Sequence, residues 1–210
     1  MDVKVKICGI TRVEDAEAAA RFGADMIGLN FWPGTPRCVA LDQAREIADA
    51  VRGQVTVVAL FVDAPRDEVM ATAEAVGTET VQLHGAESAE FATSLDGLRV
   101  IKAFHVTGPG DIERLKDFPA FAYLLDARVP GLPGGTGRTI NWDLARAAAR
   151  HGRILLAGGL TPANVADAIT RARPWGVDAA SGVETAPGVK DGDKVRQFVT
   201  NARHCKVEGP

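Results

Sequence analysis

The sequence predicts an α/β fold, a closed (β/α)8 barrel in which parallel strands alternate with helices. Two observations support this prediction. Short apolar segments rich in Val, Ile, Leu and Phe alternate with longer amphipathic segments along the whole chain. About eight such units fit into its 210 residues, and a hydrophobic content of 46% suits one domain with a sizeable core. We therefore predict a single domain over residues 1–210.

The strand candidates are apolar segments of the length expected for strands buried on both faces. They are Val3–Cys8, Asp25–Phe31, Val55–Val62, Thr80–His84, Leu98–Phe104, Phe121–Asp126, Arg153–Ala157 and Val177–Ala180. An open doubly wound sheet is the alternative. Against it, no Gly-x-Gly-x-x-Gly motif follows the first strand, and the units continue evenly to the C-terminal end of the sequence.

The helix candidates are amphipathic segments between these strands, and several have recognisable ends. Gly23 and Gly77 each follow a helical segment and suit its C-terminal cap. Thr161 precedes Pro162 and is the predicted N-cap of a later helix. The candidates are Val13–Phe22, Asp42–Val51, Pro65–Val76, Glu87–Leu95, Asp111–Asp117, Asp143–His151, Pro162–Arg171 and Asp193–Ala202.

Composition excludes several classes of protein. A net charge of -3 and a pI of about 5.8 argue against nucleic acid or an anionic membrane as a partner. No apolar segment approaches the ~20 residues needed to span a bilayer, and the N-terminus lacks the pattern of a signal peptide. The three cysteines form no Cys-x-x-Cys pair, and no two histidines stand at helical metal-binding spacing. We predict a cytoplasmic protein without metal or cofactor.

Side-chain parity within the strands predicts a polar barrel interior. Neighbouring residues of a strand point to opposite faces, and the apolar set is expected to face the surrounding helices. The inward set is then Lys6, Cys8, Gln82, His84, Lys102, Asp126 and Asp178. Because the last strand closes beside the first, we predict a Lys6–Asp178 ion pair. One interpretation is that this pair is purely structural. The other is that Lys6 lowers the pKa of Cys8 or that Asp178 contacts the substrate.

The C-terminal ends of the strands, where such barrels carry their active sites, are unusually polar. These ends carry Cys8, Asn30, Asp63, His84, Asp126, Gly158-Gly159 and Ser181-Gly182. Cys8 suits a general base, although a lone cysteine is more often a small buried apolar residue. Asp126 suits a general acid if it holds its proton near neutral pH, and otherwise a helix cap or ion-pair partner.

Three further segments are candidates for substrate binding. The glycine pairs at Gly158-Gly159 and Ser181-Gly182 allow backbone N–H groups to approach a phosphate, as the last two strands of such barrels often do. Arg37, after Pro36, suits a carboxylate or is simply a surface arginine. The Gly- and Pro-rich segment Val129–Gly137 is either a lid or an ordinary loop. For His84 and His105 we expect structural or substrate-orienting roles.

A series of motifs follows in order between Lys6 and Asp191. They are Lys6-Ile7-Cys8-Gly9-Ile10-Thr11, Pro36-Arg37, Val81-Gln82-Leu83-His84-Gly85, Leu124-Leu125-Asp126, Gly134-Gly135-Thr136-Gly137, Leu156-Ala157-Gly158-Gly159-Leu160, Ser181-Gly182-Val183-Glu184 and Pro187-Gly188-Val189-Lys190-Asp191. This series resembles the phosphoribosylanthranilate isomerase family of tryptophan biosynthesis. The chain departs from many relatives at Cys38, where an aromatic residue is common, so a stacking role there is in doubt.

The resemblance implies an Amadori rearrangement of N-(5-phosphoribosyl)anthranilate to 1-(2-carboxyphenylamino)-1-deoxyribulose 5-phosphate. It implies that Asp126 protonates the furanose oxygen and that the Cys8 thiolate removes the proton from C2′. Arg37 is then expected to hold the anthranilate carboxylate and the two strand-end glycine motifs the phosphate. No metal or cofactor is implied, and the protein is expected as a monomer or a homodimer.

Two other functions stay open at this point. One is a different sugar-phosphate isomerase or epimerase on the same fold, but the inward His and Asp cluster of a metal-dependent epimerase is missing. The other is a non-catalytic binder of a phosphorylated ligand, because a fold does not fix a function. That hypothesis predicts a degraded acid–base pair, whereas Cys8 and Asp126 are both present.

Overall fold

The protein is an eight-stranded parallel (β/α)8, or TIM, barrel that closes by pairing of its last strand with its first. A computed structural model describes residues 2–126 and 141–205. The closed ring excludes the open doubly wound sheet. The barrel strands are β1 (Lys4–Cys8), β2 (Met26–Asn30), β3 (Thr56–Phe61), β4 (Thr80–Leu83), β5 (Arg99–His105), β6 (Ala122–Asp126), β7 (Ile154–Leu156) and β8 (Gly176–Ala179).

Helices follow the strands as the sequence predicts, with shifts of a few residues at their ends. They are α1 (Val13–Arg21), α2 (Leu41–Ala50), α3 (Arg66–Val76), α4 (Ala89–Thr93), α5 (Pro109–Glu113), α6 (Trp142–Ala148), α7 (Val165–Ala172) and α8 (Gly192–His204). Short 3₁₀ helices extend α5 over Arg114–Asp117 and α6 over Ala149–His151. The glycine after α3, Gly77, adopts the left-handed conformation that closes a helix.

The predicted N-cap Thr161 is wrong. The helix after β7 begins at Val165, with Asn164 in the N-cap position. The backbone N–H of Thr161 instead donates to Asn164 Oδ1 at 2.8 Å, and Asn164 Nδ2 donates to the carbonyl of Gly159 at 3.0 Å. The residues after the strand therefore form a tight turn held by Asn164, and the helix starts only beyond it.

Apolar side chains form two layers, in agreement with the parity argument. The larger layer fills the space between strands and helices and includes Val5, Ile7, Val81 and Leu125. A smaller cluster fills the barrel interior; it consists of Met26, Val58, Ile101, Ala103, Ala122, Leu124, Leu155 and Ala157. Polar side chains take the inward positions on strands that add nothing to this cluster: Gln82 of β4 is in register with Ile101, and Lys6 of β1 with Met26 and with Asp178 of β8.

Lys102 is an exception, and its predicted inward orientation is wrong. In β5 the residues Ile101 and Ala103 belong to the inner cluster, so Lys102 shares the outer face with Phe104. Its ammonium group lies 5.8 Å from the centre of the Phe118 ring, outside the barrel. The segment Val100–Phe104 is apolar on both faces apart from Lys102, so the hydrophobic pattern alone does not fix its orientation.

A small antiparallel hairpin between β8 and α8 was not predicted. A 3₁₀ turn over Ser181–Val183 leads into β9 (Glu184–Ala186), which pairs with β10 (Val189–Lys190). These strands are too short for any residue periodicity to show in the sequence. The hairpin lies beside the start of the chain, because Thr11 Oγ1 donates to the carbonyl of Gly188 at 2.5 Å.

No helix within residues 2–126 and 141–205 is long and apolar enough to cross a membrane. The proposed lid segment Val129–Gly137, with its Gly134-Gly135-Thr136-Gly137 motif, lies outside the described residues.

Candidate active site

Cys8 is the last residue of β1 and its side chain lies inside the barrel mouth, 8% exposed. Its neighbour on β2 in the parallel register is Gly28. A Cβ atom at Gly28 would lie 2.8 Å from Cys8 Sγ and 3.1 Å from Lys6 Nζ. The thiol and the ammonium group therefore occupy the space that a side chain at position 28 would take, and only glycine fits there.

The predicted Lys6–Asp178 ion pair is confirmed. The two residues face each other in the register of β1 and β8, and Lys6 Nζ lies 2.8 Å from Asp178 Oδ1. Lys6 is fully buried. Burial alone would lower the pKa of Lys6, but attraction to Asp178 and Cys8, with hydrogen bonds to both, leaves that pKa raised. Lys6 therefore remains an ammonium group next to the thiol.

Burial raises the pKa of Cys8 more than its charged neighbours lower it. Lys6 lowers this pKa by attraction and by a hydrogen bond, and Lys190 lowers it further, while Asp178 opposes them. The hypothesis that Lys6 acidifies Cys8 is thus correct in sign, but Lys6 does not overcome the loss of solvation.

Arg37 lies in the loop between β2 and α2, next to Cys8, and is already paired with a carboxylate. Its Nε and Nη2 atoms donate to the two oxygens of Glu184 at 2.9 and 2.6 Å, a bidentate geometry. Its side chain packs over Gly9, where an added Cβ would lie 2.5 Å from Arg37 Cδ. These contacts show that Arg37 is not a surface arginine, and Nη1 is the end of the guanidinium that Glu184 does not contact.

Glu184 also binds Lys190, so one carboxylate serves two cations. Lys190 Nζ donates to Glu184 Oε1 at 2.7 Å and to the carbonyl of Ala180 at 3.3 Å, and both charged side chains are buried. Burial raises the pKa of Glu184 by itself, but bonds to Arg37 and Lys190 outweigh this and leave it lowered. Glu184 is therefore ionised, and it fixes both cations beside Cys8.

Asp126 ends β6 on the inner face of the same mouth and is 7% exposed. His84 follows β4, and its Nε2 atom lies 3.7 Å from Asp126 Oδ2. The amide Nε2 of Gln82 lies 2.8 Å from His84 Nδ1; with Gln82 as donor, the proton of a neutral imidazole is on Nε2, toward Asp126. The His105 ring meets His84 edge-on, with centroids 6.0 Å apart.

The loops after β7 and β8 meet at the mouth in backbone conformations that need glycine. Gly158 and Gly159 have φ angles of 81° and 69°. Gly182 lies within the 3₁₀ turn after β8, and a Cβ atom there would overlap the carbonyl oxygen of Leu160. The two loops thus pack backbone against backbone, and Ser181 begins the turn between them.

The remaining polar strand ends organise loops. Asn30 Oδ1 accepts from the backbone of Trp32 at 2.8 Å. Asp63, with a φ of 50°, accepts from Ala86 N at 2.6 Å. Cys38 makes a single β-bridge with Asn30, and its thiol lies 3.9 Å from the carbonyl of Val39. The sequence predicts Asn30 and Asp63 at the mouth, but both side chains bind backbone: Asn30 that of its own loop and Asp63 that of the next loop.

Sequence reasoning missed Glu184, Lys190 and Glu87 as organising residues. Glu184 and Lys190 belong to the last two sequence motifs, but their spacing predicts no role. Their contact depends on the hairpin of β9 and β10. Glu87 binds Lys102 Nζ at 2.7 Å, whereas the sequence predicted it only as the first residue of a helix. Within residues 2–126 and 141–205, no group of three or more His, Cys, Asp or Glu side chains is arranged to hold a metal ion.

Comparison with known proteins gives a consistent result over almost the whole chain. The family model described as N-(5′-phosphoribosyl)anthranilate (PRA) isomerase matches residues 5–201. The N-(5′-phosphoribosyl)anthranilate isomerase of Geotalea uraniireducens is 50% identical over 200 residues, covering 95% of this chain and 98% of the relative. The corresponding protein of Myxococcus xanthus is 46% identical and covers 99% of each chain.

Solved structures agree. Phosphoribosyl anthranilate isomerase from Thermotoga maritima superimposes with a TM-score of 0.88 at 39% identity, over 95% of this chain and 98% of that one. A phosphoribosyl anthranilate isomerase in complex with reduced 1-(o-carboxyphenylamino)-1-deoxyribulose 5-phosphate superimposes with a TM-score of 0.85 at 36% identity, with the same coverage.

Proposed function

This chain belongs to the N-(5′-phosphoribosyl)anthranilate isomerase family of tryptophan biosynthesis, and we propose that Cys8 and Asp126 are the general base and general acid of its isomerisation. The reaction turns an aldose amine into a ketose amine by internal proton transfer. One observation carries this assignment: a buried thiol and a buried carboxyl end β1 and β6 on the inner face of the same barrel mouth. General acid–base catalysis needs two such groups.

The chemistry follows from the substrate, N-(5′-phosphoribosyl)anthranilate. Asp126 donates its proton to the furanose oxygen, the bond from that oxygen to C1′ breaks, and the sugar opens to a Schiff base. The Cys8 thiolate removes the proton from C2′, and the C–H electrons form the double bond of an enolamine. Tautomerisation of the enolamine gives the ketone of 1-(2-carboxyphenylamino)-1-deoxyribulose 5-phosphate. Protons only change position, so the overall reaction consumes none.

The raised pKa of Cys8 has a direct consequence for the pH dependence. Because burial disfavours the thiolate, the pKa of Cys8 lies above that of an ordinary cysteine. The thiolate fraction of the free enzyme therefore still increases with pH in the range where an ordinary cysteine is already ionised. We therefore expect kcat/KM to rise with pH on its acidic limb in step with ionisation of Cys8, as measured by initial rates in a series of buffers.

Arg37 is proposed to bind the anthranilate carboxylate through Nη1, since Glu184 takes its Nε and Nη2 atoms. The anchored guanidinium needs no rearrangement to present this remaining nitrogen to a planar anion. The phosphate is proposed to bind the backbone N–H groups of Gly158, Gly159, Ser181 and Gly182, where the loops after β7 and β8 meet at the mouth.

His84 and Asp178 are proposed to act on the substrate side of the same mouth. His84 lies near the carboxyl of Asp126 and restrains its orientation. Asp178 holds Lys6 and is 8% exposed, which leaves it a surface toward the sugar. A location in the cytoplasm, a monomeric or homodimeric state, one domain over residues 1–210 and the absence of nucleic-acid partners stay predictions.

The test is the loss of anthranilate-adduct fluorescence on addition of the protein, with Cys8→Ser as the variant. A hydroxyl is a far weaker base than a thiolate, so we expect kcat to fall by about 10²–10⁴-fold with little change in KM. Cys38→Ser is the matched control and is expected to keep wild-type kcat. Near-normal turnover by Cys8→Ser would exclude the base assignment, and an inactive wild-type protein would favour the non-catalytic binder.

A further inference from the structure

The charges around Cys8 do not balance while its thiol is protonated. Five charged side chains form two linked groups beside it. Lys6 of β1 pairs with Asp178 of β8, while Arg37 of the loop after β2 and Lys190 of β10 share Glu184 of β9. Three cations face two carboxylates, which leaves one excess positive charge in a buried site. An uncompensated buried charge is costly, so this cluster favours one more anion.

The excess can be assigned to one residue. Lys6 has Asp178 to itself at 2.8 Å, and Arg37 occupies both oxygens of Glu184. Lys190 is 5% exposed and can only share an oxygen that Arg37 already uses. Lys190 is therefore the cation whose charge the two carboxylates do not neutralise.

The charges of Lys190 and Cys8 influence each other across the site. Burial lowers the pKa of Lys190, and attraction to Glu184 and to the Cys8 thiolate offsets this only in part, so the pKa stays below its ordinary value; Arg37 also lowers it by repulsion. The same attraction acts on Cys8 in the opposite direction and lowers its pKa. Each group thus stabilises the charged form of the other.

The backbone holds Lys190 in place independently of these charges. Its N–H donates to Asp15 Oδ2 of α1 at 3.0 Å, and the next residue, Asp191, donates to the carbonyl of Val183 at 2.9 Å. Asp15 is itself buried and paired with Arg12. The hairpin is therefore anchored to α1 and to the turn after β8, which keeps the ammonium group beside Glu184.

We propose that Lys190 is a positioning residue that favours the thiolate of Cys8, with the Arg37–Glu184 pair fixing it at the mouth. This deepens the proposed function, because it explains how a buried thiol ionises to the thiolate that removes a carbon-bound proton. Lys6 interacts more strongly with Cys8, but its charge is already neutralised by Asp178. Lys190 carries the excess positive charge that a thiolate would neutralise.

The test measures ionisation of Cys8 without turnover. The rate of iodoacetamide alkylation at Cys8 is followed by mass spectrometry over a pH series, because only the thiolate reacts. In Lys190→Met and Lys190→Gln we expect the midpoint to rise by about one pH unit, which is about tenfold less alkylation at a fixed pH below the midpoint. The glutamine retains a donor for Glu184, so it serves if the methionine variant fails to fold.

Two controls separate charge from structure. Lys190→Arg keeps the charge and is expected to return the midpoint toward the wild-type value, while Lys116→Met removes an exposed lysine elsewhere and is expected to change nothing. An unchanged midpoint in both charge-free variants, or an equal rise in Lys116→Met, would overturn the proposal. The readout is independent of turnover, so the Cys8→Ser assay can fail or succeed on its own.

Discussion

Two buried lysines form short ion pairs with buried carboxylates, yet only one of them faces the chemistry. Lys6 lies inside the barrel, 2.8 Å from Asp178 and directly below Cys8. Lys102 lies between β5 and the outer layer, 2.7 Å from Glu87, and also donates to the carbonyl of Gly85 at 2.6 Å. The pairs are alike in burial and length, so their different roles come from the strand face on which each lysine stands.

The carboxylates show the same contrast. Asp178 accepts from Lys6 on the neighbouring strand, within the barrel. Glu87 accepts from Lys102 and from the backbone of Asp63 and Gly85, so it joins the loops after β3 and β4. The inner pair is thus an electrostatic neighbour of the thiol, whereas the outer pair shapes the loop that precedes α4. Substitutions that remove each group in turn test this distinction.

The largest effect is expected from Asp126→Asn, on the inner face at the far side of the mouth. An amide cannot donate the proton that opens the furanose ring, so kcat is expected to fall by about 10²–10⁴-fold. Steady-state fluorescence assays measure the loss, and the alkylation profile of Cys8 is expected to stay unchanged. An active variant that only melts at a lower temperature would mean that the carboxyl is structural.

The different roles of the two buried lysines are tested by Lys6→Met and Lys102→Met. Each leaves a carboxylate buried without its cation, and we expect each to cost about 3–5 kcal/mol in the free energy of unfolding, measured with urea. Only Lys6→Met is expected to raise the pH midpoint of Cys8 alkylation, because only Lys6 touches the thiol. Equal midpoints in the two variants would refute the distinction between the faces.

Two glycines offer a smaller, matched pair of changes. A methyl group at Gly28 would push against Cys8 Sγ and Lys6 Nζ, while one at Gly85 would push against the carboxyl of Asp63. We expect Gly28→Ala to lower kcat by about tenfold through displacement of the base, because a misplacement of reacting groups is amplified in the rate. Gly85→Ala should shift the melting temperature instead. Loss of kcat in Gly85→Ala alone would reverse our assignment.

The smallest effect is expected from His84→Gln. The imidazole lies 3.7 Å from Asp126 Oδ2, which is longer than a direct hydrogen bond, so it guides the carboxyl only weakly. We expect kcat to fall by about tenfold or less, with KM nearly unchanged, in the same fluorescence assay. A loss as large as that of Asp126→Asn would make His84 a proton donor in its own right.

Much of the fold and part of the site could be predicted from local pattern. The period of two within β1, β4, β6 and β8 placed Lys6, Cys8 and Asp178 correctly inside the barrel, and closure of the ring then paired Lys6 with Asp178. The parity argument was wrong at Lys102 because β5 is apolar on both faces, so polar and apolar residues do not alternate along it.

The rest of the site depends on contacts that no local pattern encodes. Glu184 and Lys190 meet Arg37 only because a hairpin of very short strands folds back onto the first helix. The partners of Arg37 therefore could not be predicted, and the sequence indicated only that an arginine stood near the mouth. Asn164 likewise took the capping position expected of Thr161 because it also binds the Gly159 carbonyl, a contact set by the turn.

The hairpin also determines when the site can form during synthesis. Its contacts to the start of the chain join residues 147 to 177 positions apart: Arg37 with Glu184, Lys190 with Asp15, and Thr11 with Gly188. A ribosome adding roughly 5–20 residues per second completes these partners on the order of ten seconds after Cys8 has emerged. A nascent chain halted before Asp178 carries the thiol but none of the late residues that tune it, so iodoacetamide should label such a chain as it labels an unfolded peptide.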